Sequence, residues 1–188
     1  MDAITAITQR VSVAQLTGPG PTDQQLEQMY RGAFRAPDHA WMRPWRYLTI
    51  KDTGLVQLGE VFAEASLQDD PTLSTEKLSK IKSKPQRAPV MIVAIAHTEA
   101  HNKVPAIEQQ LAVAAGIQNI LNIAYAQGLG AIWRTGSMAY HSHVKQALGL
   151  DQQEDILGFI YLGHVNCKLK KAPDLAMQDY VKEWPLKA

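Results

Sequence analysis

Residues 126–136 read Ala126-Gln127-Gly128-Leu129-Gly130-Ala131-Ile132-Trp133-Arg134-Thr135-Gly136, and the order of elements around the first two glycines decides the fold class. A Rossmann phosphate loop needs a strand before its glycines and a helix after them, so that phosphate meets the positive end of the helix. Here the order is reversed. Upstream, Pro105 opens a long helix running from Ala106 to about Gln127, and Gly128 stops it. Downstream, Gly130 to Arg134 reads as a strand. The helix therefore turns its negative end toward the glycines, which excludes the dinucleotide fold. Its apolar residues nearly encircle the axis from Leu111 to Ala126, so it is expected to be buried in the core or between subunits.

Working outward, Ala88-Pro89-Val90-Met91-Ile92-Val93-Ala94-Ile95-Ala96 is a continuous apolar run, the pattern of a central strand covered on both faces. Trp45 to Ile50 and Ile156 to Leu162 read as further strands. Helical spacing marks Asp2 to Gln9, Leu55 to Leu67, Thr75 to Ile81 and Ser142 to Leu148. Another helix opens at Thr22, with Gln25 completing a capping box, and runs to Ala33. The polar stretch Gln68 to Arg87 is expected to turn its charges to solvent. Gly18-Pro19-Gly20-Pro21 is a loop too short to link domains. The order is neither alternating βαβ nor all-β. A single α+β domain over residues 1–188 follows, a small mixed or antiparallel sheet flanked by helices around a long buried central helix.

Composition fits that reading. A chain of 188 residues with 46% apolar content can build one self-sufficient core, and disorder is excluded as its global state. A net charge of +1 gives no bulk field for nucleic acid or an anionic membrane. Cys167 is the lone cysteine, so an internal disulfide or thiolate metal cage is excluded. The N-terminus lacks the basic, then apolar, layout of a signal peptide, and no apolar run approaches the ~20 residues that span a bilayer. The expectation is a soluble, cytoplasmic protein.

Familiar catalytic motifs are missing. The histidine pairs His97/His101 and His141/His143 do not match the zincin pattern, and no metal site is expected. There is no Gly-x-Ser-x-Gly elbow to anchor a hydrolase triad. Glu154-Asp155 and Asp69-Asp70 read as polar turns. What remains are three polar clusters at element ends. Arg10-Val11-Ser12 follows the first helix, where an arginine fork, a hydroxyl and backbone N–H groups can grip a phosphate. Arg35 to Trp45 is dense in donors and aromatics and pinned by Pro37 and Pro44, so it can face a planar polar ligand. In the third, residues 126–136, the small residues let backbone approach a ligand closely.

Taken in order, these clusters resemble the FMN-dependent NAD(P)H nitroreductase family. The likeness is carried by Arg10-x-Ser12, Arg35-Ala36-Pro37-Asp38-His39 leading to Pro44-Trp45, His101-Asn102-Lys103-Val104-Pro105, Gln127 to Arg134, and Gly158-Phe159-Ile160-Tyr161-Leu162-Gly163. It spans about residues 1 to 165, most strongly with the short, minimal members. The resemblance implies a nitroreductase-like fold and a homodimer with FMN at the subunit interface. Arg10, Val11 and Ser12 would hold the FMN phosphate, Arg35 and His39 would line the flavin across the interface, and Trp133, Arg134 and Thr135 would lie against its ring or ribityl chain. Lys168 would assist the phosphate. Ile123, Ala124, Tyr125, Ala126, Gln127 and Gly128 would belong to a nicotinamide site. No side chain acts as catalyst in this reading, because the chemistry sits at flavin N5.

The implied activity is two-electron, ping-pong reduction of nitroaromatic- or quinone-like substrates by NADH or NADPH. Dehalogenation, flavin destruction, or FMN storage or sensing without turnover remain open alternatives. The sequence departs from the family at Val11, Ala14 and Gln15, where basic residues are common. It also has Trp41 and Arg43 where many relatives carry amides. Arg43 at the flavin pyrimidine edge would stabilise negative charge on N1 or O2 and raise the reduction potential.

Overall fold

The structure, a computed structural model, describes residues 1–184. Its organising strand is Val90–His97 (β3), whose side chains are buried on both faces of the sheet, as an uninterrupted apolar run requires. β3 pairs with Trp45–Lys51 (β2) on one side and Glu154–Val165 (β5) on the other. Gly130–Arg134 (β4) pairs with the far edge of β5, and the two-residue strand Leu16–Thr17 (β1) pairs with the end of β5. Every pairing is antiparallel, so of the two sheet types open to the sequence the antiparallel one forms. β5 is longer than its apolar core, Ile156 to Leu162, because Glu154 is buried through an ion pair and Val165 is held by β1.

The pleat divides the core in two. Val90, Ile92, Ala94 and Ala96 face the helices Asp23–Ala33 (α2, following Ala3–Gln9, α1) and Ala106–Ala126 (α5). Met91, Val93 and Ile95 face Thr53–Asp69 (α3) and the short helices Ser137–Tyr140 (α6) and Ser142–Ala147 (α7). Thr75–Lys82 (α4) packs on α3. α2 starts at the expected capping box: Thr22 Oγ1 accepts from the Gln25 N–H at 3.2 Å, and Gln25 Oε1 accepts from the Thr22 N–H at 2.9 Å.

α5 is only half covered by its own chain. Val113, Ile117, Ile120 and Ala124 have no exposed surface, whereas Ile107 and Leu111 are 57% and 59% exposed. The sheet and α2 can cover only one side of a cylinder, so the apolar residues on its other side stay open. Near its start, Gln109 is 2% exposed and pins the preceding loop: its amide donates to the carbonyls of Glu99 (2.8 Å) and Val104 (3.2 Å) and accepts from the Glu99 N–H (3.0 Å). Among the described residues, no helix is long and apolar enough to cross a membrane.

The contact between α3 and the end of α4 depends on a missing side chain. A Cβ on Gly59 would stand 2.2 Å from the Lys82 carbonyl oxygen. Gly59→Ala should cost about 1–3 kcal/mol by forcing the helices apart, read as a lower urea midpoint with unchanged slope. An unchanged midpoint would show that the contact yields freely.

Candidate functional site

One backbone hydrogen bond starts the site. The Val13 N–H donates to the Ala131 carbonyl at 3.0 Å, laying the segment that leaves α1 along the outer edge of β4. Arg10, Val11 and Ser12 therefore sit beside β4, with Arg10 and Val11 half-buried and Ser12 exposed. Nε and Nη1 of Arg10 are buried and have no hydrogen-bond partner among the described residues. A guanidinium keeps its charge at any ordinary pH, and each buried donor left unpaired costs ~1–3 kcal/mol. The geometry suits an oxyanion that would satisfy both. Asn166 donates to the Gln15 carbonyl at 3.1 Å, which brings the chain after β5 alongside the same segment. Lys168 follows two residues later and is exposed.

β4 carries Arg134 and Thr135 to the other end of this edge. Register pairs Ile132 with Tyr161 and Arg134 with Phe159, so Arg134 shares the α3 face of the sheet. There Arg134 and Thr135 line a hollow of about 190 Å³ with Lys84, Arg87 and Tyr161. None of the three cations has an acidic partner among the described residues. Burial raises the Tyr161 pKa, while Arg87 and Arg134 pull it the other way. Sequence reasoning missed Lys84 and Arg87, leaving them in a solvent-facing stretch; the signal was their place in Lys84-Pro85-Gln86-Arg87, directly before the central strand.

Trp133 points to the opposite face. Its indole N–H donates to the Leu157 carbonyl at 3.0 Å and its ring packs against the α2/α5 core, so its backbone is what remains for a ligand. Gly158 makes room for it, since a Cβ there would lie 2.1 Å from Trp133 Nε1.

Arg35, His39 and Arg43 occupy another place, beside the start of β2. β2 and β4 are opposite edges of the sheet, separated by β3 and β5, and Arg35 to Arg43 lies on the α2 side of it. The chain does not bring this loop together with Arg10 or Arg134. His39 Nδ1 lies 2.6 Å from Glu108 Oε2 at the start of α5. The loop holds three non-glycine residues at positive φ, Ala40 (58°), Trp41 (56°) and Arg43 (50°).

Residues Ile123 to Gly128 form the last turn of α5 and its stop, at the end of β4 away from Thr135. Ala124 has no exposed surface, Ile123 packs over Gly32, and Gln127 donates to Gln28 Oε1 at 2.7 Å. The five residues of β4 separate this turn from Thr135 by roughly 17 Å at ~3.3 Å per residue. Within one chain the two do not meet.

A five-stranded antiparallel sheet between two helical layers, with a long half-open helix and cations without ion pairs among the described residues at its edges, defines a nitroreductase-like α+β protein. The fold is shared by solved structures. A nitroreductase-like family protein from Bacillus cereus matches with a TM-score of 0.84 at 19% identity, covering 98% of this chain and 97% of that one. A Desulfovibrio desulfuricans protein described as "a putative nitroreductase in complex with fmn" matches with a TM-score of 0.74 at 22% identity, covering 97% of each chain. In sequence, the chain is 34% identical over 166 residues to the Escherichia coli (strain K12) protein named "Putative NAD(P)H nitroreductase YdjA", covering 87% of this chain and 88% of that protein. The model of the Nitroreductase family matches residues 7–164, and the chain belongs to that family.

A separate ion cluster lies at the end of β3. Arg46 grips Glu154 with both ends of its fork, Nε to Oε1 at 2.6 Å and Nη2 to Oε2 at 2.5 Å. His97 Nδ1 stands 3.8 Å from Asp151 and 3.9 Å from Glu154. His97, Asp151 and Glu154 could converge on a cation, but both Glu154 oxygens already serve Arg46, so the cluster reads as a structural clasp. His143 contacts Glu64 at 2.8 Å, and His141 Nδ1 accepts from the His143 N–H at 3.1 Å.

The Arg46 hydrogen bond is the main cause holding Glu154, 7% exposed in its side chain, below the usual glutamate range. A depressed folded pKa gives stability that is present above the unfolded value of about 4.3 and is lost as pH falls through the folded value. Glu154→Gln should be less stable than the parent at pH 7, with the difference shrinking below about pH 4. Urea midpoints across that range check this; a pH-independent difference would contradict it.

Proposed function

We propose that the chain is an FMN-dependent oxidoreductase that works as a homodimer, reducing nitroaromatic- or quinone-like acceptors with NADH or NADPH in a ping-pong cycle. The observation that carries the reading is Arg10, which has two buried guanidinium nitrogens without a partner among the described residues and belongs to the segment laid along the outer edge of β4. That donor set fits the phosphate of FMN, with the Ser12 hydroxyl and the Val11 backbone beside it and Lys168 within the same neighbourhood. Family membership and the names of the relatives support the cofactor and the donor. When bound, FMN supplies a two-electron carrier between a nicotinamide and an oxidised acceptor.

The protein's own groups bind and orient. Arg134 and Thr135, with Lys84 and Arg87 around the same hollow, would hold the polar edge of the flavin and favour negative charge on it. Trp133 would contribute backbone rather than its ring. Arg35 and His39 lie on the opposite edge of the sheet, so a second copy is needed to deliver them. Exposed apolar side chains on α5 (Ile107 and Leu111) and α1 (Ile4 and Ile7) support a seam for that copy. The nicotinamide role of Ile123 to Gly128 comes from the resemblance, and the buried Ala124 side chain takes no direct part.

The purified protein should show an oxidised-flavin spectrum that bleaches anaerobically on adding NADH or NADPH. Flavin that stays oxidised with both would refute the reductase reading. Arg10→Ala removes at least one charge-assisted bond, about 1.5–3 kcal/mol, so FMN affinity should fall tenfold or more. Undiminished flavin occupancy would refute the phosphate assignment. Leu111→Glu should yield monomers by sedimentation; dimers of undiminished affinity would place the seam elsewhere.

A further inference from the structure

The turn between α2 and β2 encloses a hollow of about 430 Å³. Three aromatic rings line it. Phe34 and Trp45 stack with centroids 6.1 Å apart and 26° between planes, forming a fixed wall. Trp41 faces the same hollow yet is 79% exposed, on a backbone at φ 56°. A bulky residue is rarely held in that region, at a cost of ~1–3 kcal/mol, unless its surroundings impose it. Here the Arg43 N–H donates to Asp38 Oδ2 at 2.8 Å and fixes the turn.

Charge completes the picture. Arg35 and Arg43 line the hollow, and neither has an ion pair among the described residues. Asp38 is the only acid among the lining residues, and one of its oxygens is already used on backbone. Flat aromatic walls select a planar ring, and a free guanidinium fork matches a carboxylate through two parallel bonds. With Arg35 assigned to the flavin, a neutral ring would leave the Arg43 fork without a partner.

We infer that this hollow binds a planar aromatic carboxylate that also carries a reducible nitro group: Trp41 stacks on its ring, Arg43 receives its carboxylate, and the nitro group takes two electrons from the reduced flavin with two protons, leaving a nitroso group and water. The inference rests on the oxidoreductase reading above and names its acceptor class. It also reassigns Arg43 from the flavin edge to the substrate.

The test compares 4-nitrobenzoate with 4-nitrobenzyl alcohol, which share ring and nitro group and differ in charge. FMN-loaded protein is reduced with dithionite and its reoxidation by each acceptor is followed by stopped flow. The parent should favour the anion by tenfold or more. Arg43→Gln and Trp41→Ala should each lower that ratio severalfold, and Arg43→Lys should keep more of it than Arg43→Gln. Benzoate, which has no nitro group to reduce, should perturb the oxidised-flavin spectrum of the parent and bind at least fivefold more weakly to Arg43→Gln. A parent ratio near one overturns the inference. So does an Arg43→Gln protein that keeps the ratio and shifts only the flavin midpoint potential, since Arg43 then serves the flavin. A protein that takes up no FMN overturns the oxidoreductase reading as well, whereas one that binds and cycles flavin without preferring the anion overturns this inference alone.

Discussion

Strand β3 turns neither face to water, and the positions of the other elements follow from covering it. A strand with apolar residues at every position must be roofed on both sides. α2 and α5 provide one roof; α3, α6 and α7 provide the other. Antiparallel pairing on either side then sends β2 and β4 to opposite edges. The two polar loops attached to those edges inherit the separation. Arg10 and Arg134 are tied to β4, and Arg35 to Arg43 are tied to β2. The burial that covers β3 also keeps these two loops apart within one chain.

Charge placement follows the same division. Beside β4 the protein keeps cations without acids: Arg10 is half-buried with orphaned donors, and Lys84, Arg87 and Arg134 ring a small hollow. Other cations are matched, as in Arg46 with Glu154 or Lys145 with Asp155, whereas Arg35 and Arg43 at the β2 edge have no ion pair among the described residues. Unpaired positive groups gathered at one edge mark where an anionic cofactor and developing negative charge can be held. The near-neutral total of +1 hides this arrangement, because paired surface charges cancel in the sum while the site's charges do not.

Much of this was legible in the residues. The β3 run, the Thr22/Gln25 capping box and the reversed order around Gly128 were local patterns, and each reports local physics. What was not legible depended on contacts distant in sequence. Glu154 looks like a turn residue until Arg46, 108 residues away, makes its burial possible. Lys84 and Arg87 look like solvated charges until β4 delivers Arg134 to the same hollow. The packing of Trp133 toward the α2/α5 core cannot be read from its neighbours, since register with β5 sets it. α5 reads as apolar all round, and the chain itself covers only half of it. The other half is the face that the proposed second copy would cover.

The central claim is that each site is built from the β4 edge of one chain and the Arg35 to Arg43 loop of its partner. Mixing two inactive variants tests it most directly. Arg10→Ala disables one contribution and Arg35→Ala with His39→Ala disables the other. When the two proteins are unfolded together and refolded as a mixture, mixed dimers contain one site with both contributions intact. The account predicts that the mixture regains FMN binding that neither variant shows alone. If the mixture binds no more flavin than the average of its two components, the site lies within one chain and the account is wrong.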